Sequence, residues 1–334
     1  RAHLTTAQRW VVKIGSSSLT NHGKGLDTQA IEQWVQQCVA LRSQGVELVL
    51  VSSGAVAEGM RRLGWSQRPN TIHELQAAAA VGQMGLVQAY ESCFAKQNLH
   101  TAQILLTHED LSNRRRYLNA RTSLKTLLAL GVIPVVNEND TVATDEIRFG
   151  DNDRLAALVA LLTQADLLIL VSDIDALYDA PPNDLNAKKI SEVKDFANLS
   201  EIKLGGAGSS GVGSGGMVTK IEAARIATSA GTAMLLTSAD DLAKSIKGED
   251  CGTLFFPKDS KNNARALWLA HASVSSGKLV LDSGAVKALL EKNVSLLPAG
   301  VTAVEGTFDA GETVDLVDPN GQIIARGIIN FASD

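Results

Sequence analysis

The chain has 334 residues and a hydrophobic fraction of 45%, enough to fill one large core and a smaller one, which excludes a disordered or fibrous protein. A formal charge of -5 and a pI near 5.7 argue against general affinity for nucleic acid or acidic membrane surfaces, both of which select basic patches. Its three cysteines, Cys38, Cys93 and Cys251, lie far apart without CxxC or Cys/His spacing, so neither a disulfide framework nor a zinc site is expected and a reducing cytoplasm fits.

Arg1-Ala2-His3-Leu4 opens no long apolar run, so a signal peptide is not expected, and a start at Arg rather than Met reads as trimming. Short apolar runs rich in β-branched residues at 10–14, 46–51, 101–106, 132–136, 167–171 and 232–236 each predict a buried strand. Between the first two, Ile31, Trp34, Val35, Cys38 and Val39 recur at helical spacing in a stripe closed by Gly45, which puts Cys38 in the core. The same periodicity predicts helices near 74–97, 119–130, 154–163 and 220–230. Strand and helix alternate, so the fold class is α/β, a mainly parallel sheet sandwiched by helices. The most apolar stretch, 155–171, is interrupted by Gln164 and Asp166 and is too polar for a membrane span of about 20 residues.

From about Gly277 the texture changes. Strands are expected at 278–281, 313–317 and 323–329, with one helix near 285–292 and a turn at Asp318-Pro319-Asn320-Gly321. The polar start of 257–276 carries no apolar stripe. The expected division is a large domain over 1–257, a linker over 258–276 and a small β-rich domain over 277–334.

In open α/β sheets ligands bind beyond the carboxyl ends of the strands. There the chain places Gly15-Ser16-Ser17-Ser18, Ser52-Ser53-Gly54-Ala55, Asn137-Glu138-Asn139-Asp140 and Ser172-Asp173-Ile174-Asp175. Any one of these alone reads as a turn or helix cap rather than a site. Four on one rim point to a site. Lys13 lies inside an apolar strand, where it serves either as an edge-strand lysine with a packed stem or as a ligand for phosphate beyond Gly15.

The loop 205–216 holds seven glycines and opens a helix near Thr219-Lys220, so it is either a linker or an anion-binding nest at a helix N-terminus. Lys220 favours the nest, because a lysine in the first turn opposes the macrodipole unless an anion offsets it. Phosphate is the expected anion, and on this reading removal of Lys220 leaves the ligand-free protein as stable or slightly more so. The GxGxxG spacing of Gly211, Gly213 and Gly216 follows no strand, which rules out a Rossmann site, and Thr219 before Lys220 breaks the Walker pattern. In Gly150-Asp151-Asn152-Asp153 an N-cap accounts for one polar side chain but not for all three. Two lysines with carboxylates and amides suit phosphoryl transfer, which depends on positioning and charge neutralisation.

Taken in order, Val11-Val12-Lys13-Ile14-Gly15, Val51-Ser52-Ser53-Gly54-Ala55, Val136-Asn137-Glu138-Asn139-Asp140, Gly150-Asp151-Asn152-Asp153 and Ser214-Gly215-Gly216-Met217-Val218-Thr219-Lys220 resemble the glutamate 5-kinases of the amino-acid kinase superfamily. The resemblance spans about residues 9–257, and the tail resembles their PUA module. It implies an amino-acid kinase fold over 1–257 and a PUA-like domain over 277–334. It further implies transfer of the ATP γ-phosphate to the glutamate γ-carboxylate, giving γ-glutamyl phosphate in proline biosynthesis, with Mg2+ accompanying ATP and no dedicated protein metal site. On the same resemblance Lys13 and Lys220 neutralise the moving phosphoryl group and Asp153 orients them. Ser53, Gly54, Asp140 and Asn152 would bind glutamate, Asp140 taking the ammonium. Lys13, Gly15, Ser172, Asp173, Ser214, Gly215, Gly216, Met217, Val218, Thr219 and Lys220 would hold the nucleotide.

Ser172 and Ser214 stand where family members often have Thr, and both retain a hydroxyl. The implied partners are L-glutamate, proline as a feedback inhibitor, a second copy of the chain in a homo-oligomer, and glutamyl phosphate reductase, in the cytoplasm without membrane or nucleic acid. Family PUA modules usually run past the position of Asp334, so the tail is expected to be incomplete. Acetylglutamate, aspartate or a nucleoside monophosphate as acceptor is disfavoured by Asn137 to Asp140 and Asn152. An RNA-binding role is disfavoured by the tail's balance, since 277–334 holds four Lys/Arg (Lys278, Lys287, Lys292, Arg326) against eight Asp/Glu.

Overall fold

Runs such as Trp10-Val11-Val12 and Leu167-Leu168-Ile169 have no polar face, so they are stable only as strands covered on both sides. In the computed structural model, which describes residues 4, 6–20, 25–142, 152–180, 186–199, 216–258, 264–292 and 294–334, they lie side by side in the middle of a sheet. The chain forms two compact units, Arg1–His108 with Asn119–Lys261, and Glu109–Leu118 with Asn262–Asp334.

The first unit begins with β1 (Arg9–Ile14), α1 (Ser16–Leu19), α2 (Thr28–Ser43), β2 (Glu47–Ser52), α3 (Ala55–Leu63), α4 (Ile72–Ala95) and β3 (Thr101–Leu106). After α5 (His108–Ser112) and α6 (Arg114–Ala129), of which Glu109–Leu118 belong to the second unit, come β4 (Ile133–Glu138), α7 (Asp153–Thr163), β5 (Leu167–Ser172), β6 (Leu177–Tyr178), β7 (Lys189–Ile190) and β8 (Glu192–Val193). Then follow α8 (Met217–Ser229), β9 (Ala233–Ser238), α9 (Leu242–Ile246) and β10 (Thr253–Phe255). Eight strands make one sheet in the order β3-β4-β2-β1-β5-β9-β10-β8, parallel except where β10 runs against β9. The six expected strands are therefore all present. The expected helix at 119–130 starts earlier, at Arg114, because Asn113 Oδ1 accepts from the Arg115 and Arg116 backbone N–H groups and caps it.

Side chains alternate across the pleat, so Trp10, Val12 and Ile14 enter one core layer with Trp34, Leu86, Tyr90 and Phe94, while Val11 and Lys13 face the other layer. There α7 is buried from Asp153 through Thr163 save for part of Arg154. The register Lys13 with Val51 and Leu170, and Val51 with Val136, aligns the strand ends, so Ser52, Asn137 and Ser172 emerge on one rim. Lys13 is thus not on an edge strand, since β1 is flanked by β2 and β5.

Helices α3 and α4 cross at backbone contact. A Cβ at Gly59 would stand 1.6 Å from the Ala78 carbonyl oxygen, and one at Gly82 would stand 1.7 Å from that of Ala55. The crossing fixes the start of α3, immediately after Ser53-Gly54, against the long helix.

In the second unit β11 (Gly277–Leu281), β12 (Val301–Gly306), β13 (Thr313–Val317) and β14 (Ile323–Ile328) form a four-stranded sheet in the order β12-β11-β13-β14, with α11 (Ser283–Lys292) beside it. Leu279, Leu281, Phe308, Val314 and Leu316 make its core. The segment read as a linker is not featureless. It contains α10 (Ala264–His271), whose Trp268 is buried and donates Nε1 to the Leu111 carbonyl at 2.9 Å, next to Tyr117. Eight residues, about two turns, carrying two buried side chains, Leu267 and Trp268, are too short to register as a period.

Candidate active site

The rim after β1 and β2 is organised by α7, whose first residue, Asp153, is fully buried. Lys13 reaches it from β1, Nζ to Oδ1 at 2.5 Å, and Lys220 reaches it from the first turn of α8, Nζ to Oδ2 at 3.0 Å. Thr219 Oγ1 donates to the same Oδ2 at 3.3 Å. Both lysines are 6% exposed or less. Burial alone would raise the Asp153 carboxyl, but the Lys13 and Lys220 charges overcome it and hold the group at about 2. The anion that offsets Lys220 is therefore a carboxylate of the chain itself. Two buried ammonium groups and one carboxylate sum to one positive charge at the mouth of a helix, an arrangement that favours a group on which negative charge develops.

Asn152 occupies the N-cap position of α7, yet its side chain does not cap the helix. Instead Nδ2 donates to the Ser52 carbonyl at 3.0 Å, to Ser53 Oγ at 3.2 Å and to Asn137 Oδ1 at 2.8 Å. The adjacent residues Asn152 and Asp153 thus send one side chain to each of two clusters. Gly54 follows with φ of +104°, a left-handed conformation that only glycine adopts without strain, and it starts α3. Asp140, half-buried beyond β4, lines a cavity of about 200 Å3 with Gln83, Gln103, Glu138 and Thr141. Burial pushes its carboxyl up to about 6, with the Arg68 charge opposing.

Ser172 is buried at the end of β5 and donates Oγ to Asp173 Oδ1 at 3.0 Å. Gly15 approaches closely enough that an added Cβ would lie 3.5 Å from the Val171 carbonyl oxygen and 3.9 Å from Lys13 Nζ. Gly216 caps α8 by backbone only, Met217 and Val218 open its first turn, and Thr219 Oγ1 returns to the Gly216 carbonyl at 2.8 Å. Gly150, Asp151, Ser214, Gly215 and the rest of the glycine-rich loop lie outside the described residues. Sequence reasoning did not single out Gln83, whose Oε1 accepts from Asn137 Nδ2 at 2.9 Å. An amide in the middle of an alanine-rich helix carries no pattern. Nor did it foresee α3, because Gly59 interrupts its helical stripe.

The amino acid kinase family profile matches residues 8–238 and the PUA domain profile matches residues 277–334. The chain is 56% identical over 337 residues to a glutamate 5-kinase of Pseudomonas syringae pv. tomato, covering all of this chain and 90% of that one. It is 54% identical over 339 residues to a glutamate 5-kinase of Thioalkalivibrio sulfidiphilus, with the same coverage. Among solved structures it is similar in fold to the carbamate kinase from Giardia lamblia bound to AMP-PNP, with a TM-score of 0.55 and 17% identity over 76% of this chain and 100% of that one. The UMP kinase from Ureaplasma parvum gives a TM-score of 0.50 and 14% identity over 75% of this chain and 98% of that one.

Proposed function

Because this chain belongs to the amino acid kinase family and matches glutamate 5-kinases along its whole length, we infer that it phosphorylates the side-chain carboxylate of glutamate, the first step of proline biosynthesis. A γ-carboxylate oxygen forms a bond to the γ-phosphorus of ATP, the bond from that phosphorus to the β,γ-bridging oxygen breaks, and ADP departs with the electron pair. The products are γ-glutamyl phosphate and ADP.

The observation that carries the chemistry is the convergence of Lys13 and Lys220 on Asp153. In our reading the two ammonium groups stabilise charge spread over the transferred oxygens, and Asp153 keeps both lysines protonated and aimed. Ser53, Gly54 and Asn152 hold the reacting carboxylate end of glutamate, and Asp140 pairs with its ammonium. Gly15, Ser172, Asp173 and the segment from Ser214 to Lys220 hold ATP. Asp153 already serves two ammonium groups, so in this reading magnesium is carried on the nucleotide phosphates, with Asp173 as the side chain to hold it, where the ion would neutralise phosphate charge.

Domain boundaries at 257 and 277 belong to the same reading, as do a homo-oligomer, inhibition by proline and a cytoplasmic setting. Acyl phosphates hydrolyse readily, which favours a glutamyl phosphate reductase as the consumer of the product. No described helix is long and apolar enough to cross a membrane. The test is hydroxylamine trapping of acyl phosphate from Mg-ATP with glutamate, aspartate or acetylglutamate as acceptor. Glutamate should be turned over far faster, and equal turnover of either competitor would overturn the assignment.

A further inference from the structure

The amides behind the rim form a relay whose polarity is set at one end. The Ser52 carbonyl can only accept, so Asn152 must present Nδ2 to it, at 3.0 Å. That Nδ2 also donates to Asn137 Oδ1 at 2.8 Å, which leaves Asn137 Nδ2 facing Gln83, and Gln83 Oε1 accepts it at 2.9 Å. Every amide orientation now follows from the backbone carbonyl, and the relay ends on Gln83 Nε2. This nitrogen is buried and has no acceptor among the described residues. Native interiors retain few such groups, because a buried donor without a partner loses its hydration for nothing. Gln83 also lines the cavity that contains Asp140.

We propose that Gln83 is a specificity-determining residue of the acceptor site, its Nε2 held ready to donate to a carboxylate oxygen of the bound amino acid while its Oε1 keeps Asn137 and Asn152 in register. The inference rests on the glutamate-kinase reading and adds a residue to it. Nε2 is shut off from water, so its acceptor must arrive with a ligand that enters the cavity and reshapes the wall. A carboxylate oxygen suits it, since charge strengthens the bond. A site that leaves this donor unmet discriminates against acceptors unable to reach it.

Two substitutions in the full chain test this. Gln83→Met removes both amide functions at similar volume, and Gln83→Glu keeps an acceptor for Asn137 but cannot donate. In the hydroxamate assay both should raise the KM for glutamate about ten- to a hundredfold, the scale of one hydrogen bond to a charged group, with the KM for ATP changed by less than about twofold. Ligand-free Tm should stay near wild type in Gln83→Glu, which keeps an acceptor for Asn137, and fall in Gln83→Met, which leaves the buried Asn137 Nδ2 without one, while the Tm increase produced by glutamate should shrink in both variants. If wild type makes acyl phosphate from glutamate and both variants keep its KM, or if Tm falls while KM is unchanged, Gln83 is only structural and the inference fails alone. If wild type makes no acyl phosphate from glutamate, the functional reading and the inference fail together.

Discussion

Replacing Lys220 by Met sets two effects of opposite sign against each other. Lys220 is the fourth residue of α8, and a cation there opposes the helix dipole by about 0.3–1 kcal/mol, so its removal would on that count stabilise the protein. Its Nζ also lies 3.0 Å from the buried Asp153 carboxylate. The drop of the Asp153 carboxyl from its ordinary 3.8 to about 2 corresponds to about 2 kcal/mol net of burial, which opposes it, so the two lysines together contribute more than that. Losing one of them costs more than about 1 kcal/mol, and removing one partner of a buried ion pair costs up to about 3 kcal/mol even with Lys13 still in place. The ion pair wins, and the ligand-free variant should unfold at a temperature lower by about 2–10 °C. This reverses the expectation drawn from the helix dipole alone. Because the folded carboxyl is depressed, its contribution is present above the ordinary carboxylate range and is lost as pH falls toward 2. In the variant Asp153 protonates at higher pH, so acid unfolding should begin earlier. The kcat should fall by about a hundred- to a thousandfold, the loss expected for one preorganised donor. Circular dichroism of the ligand-free protein against temperature and pH, with hydroxamate turnover, measures all three. An unchanged or raised Tm, or near-wild-type kcat, would refute the reasoning.

Asp140 is raised to about 6, so the free enzyme loses its carboxylate as pH drops below 6; kcat/KM for glutamate should fall there, and Asp140→Asn should raise the KM for glutamate and abolish that limb. An acid limb that persists in the Asn variant would place the titrating group elsewhere. Gly82→Ala must move the Ala55 carbonyl away from a Cβ at 1.7 Å, so it should cost about 1–3 kcal/mol by thermal unfolding and raise the KM for glutamate through Ser53-Gly54, with little change for ATP. Truncation before Gly277 should leave a folded kinase, whereas truncation before Lys258 also strips Trp268 from Leu111 and Tyr117 and should give a lower Tm and stronger binding of an apolar dye. Equal behaviour of the two truncations would remove α10 from the folded unit.

The strands β1 to β5 and β9 are legible in the sequence because aliphatic runs buried on both faces have no other stable use, and the longer helices between them, unlike α3, because their apolar residues recur at helical spacing. Legibility fails where an element is short or its cause is distant. β10 has three residues and takes its direction from β9. α10 spans only eight residues after the polar run 258–263, and β12 is exposed along nearly its whole length, so neither shows an apolar period. In the site, Lys13 and Lys220 are marked as anomalies by rules that need no structure, a charge in an apolar strand and a cation at a helix start. What resolves both is Asp153, which stands 140 residues from Lys13 and 67 from Lys220. The cap motif around Asn152 identifies the place, but only the fold turns that side chain away from its helix and toward Ser52, Ser53 and Asn137.

That Lys13 and Lys220 serve one phosphoryl group is tested most directly by a double-mutant cycle on acyl phosphate formation. Lys13→Met and Lys220→Met should each lower kcat by about a hundred- to a thousandfold with small changes in the KM for glutamate. Together they should lower it by clearly less than the product of the two losses, because groups acting on one charge are not additive. Losses that multiply would mean the two lysines act independently and would contradict a shared phosphoryl site.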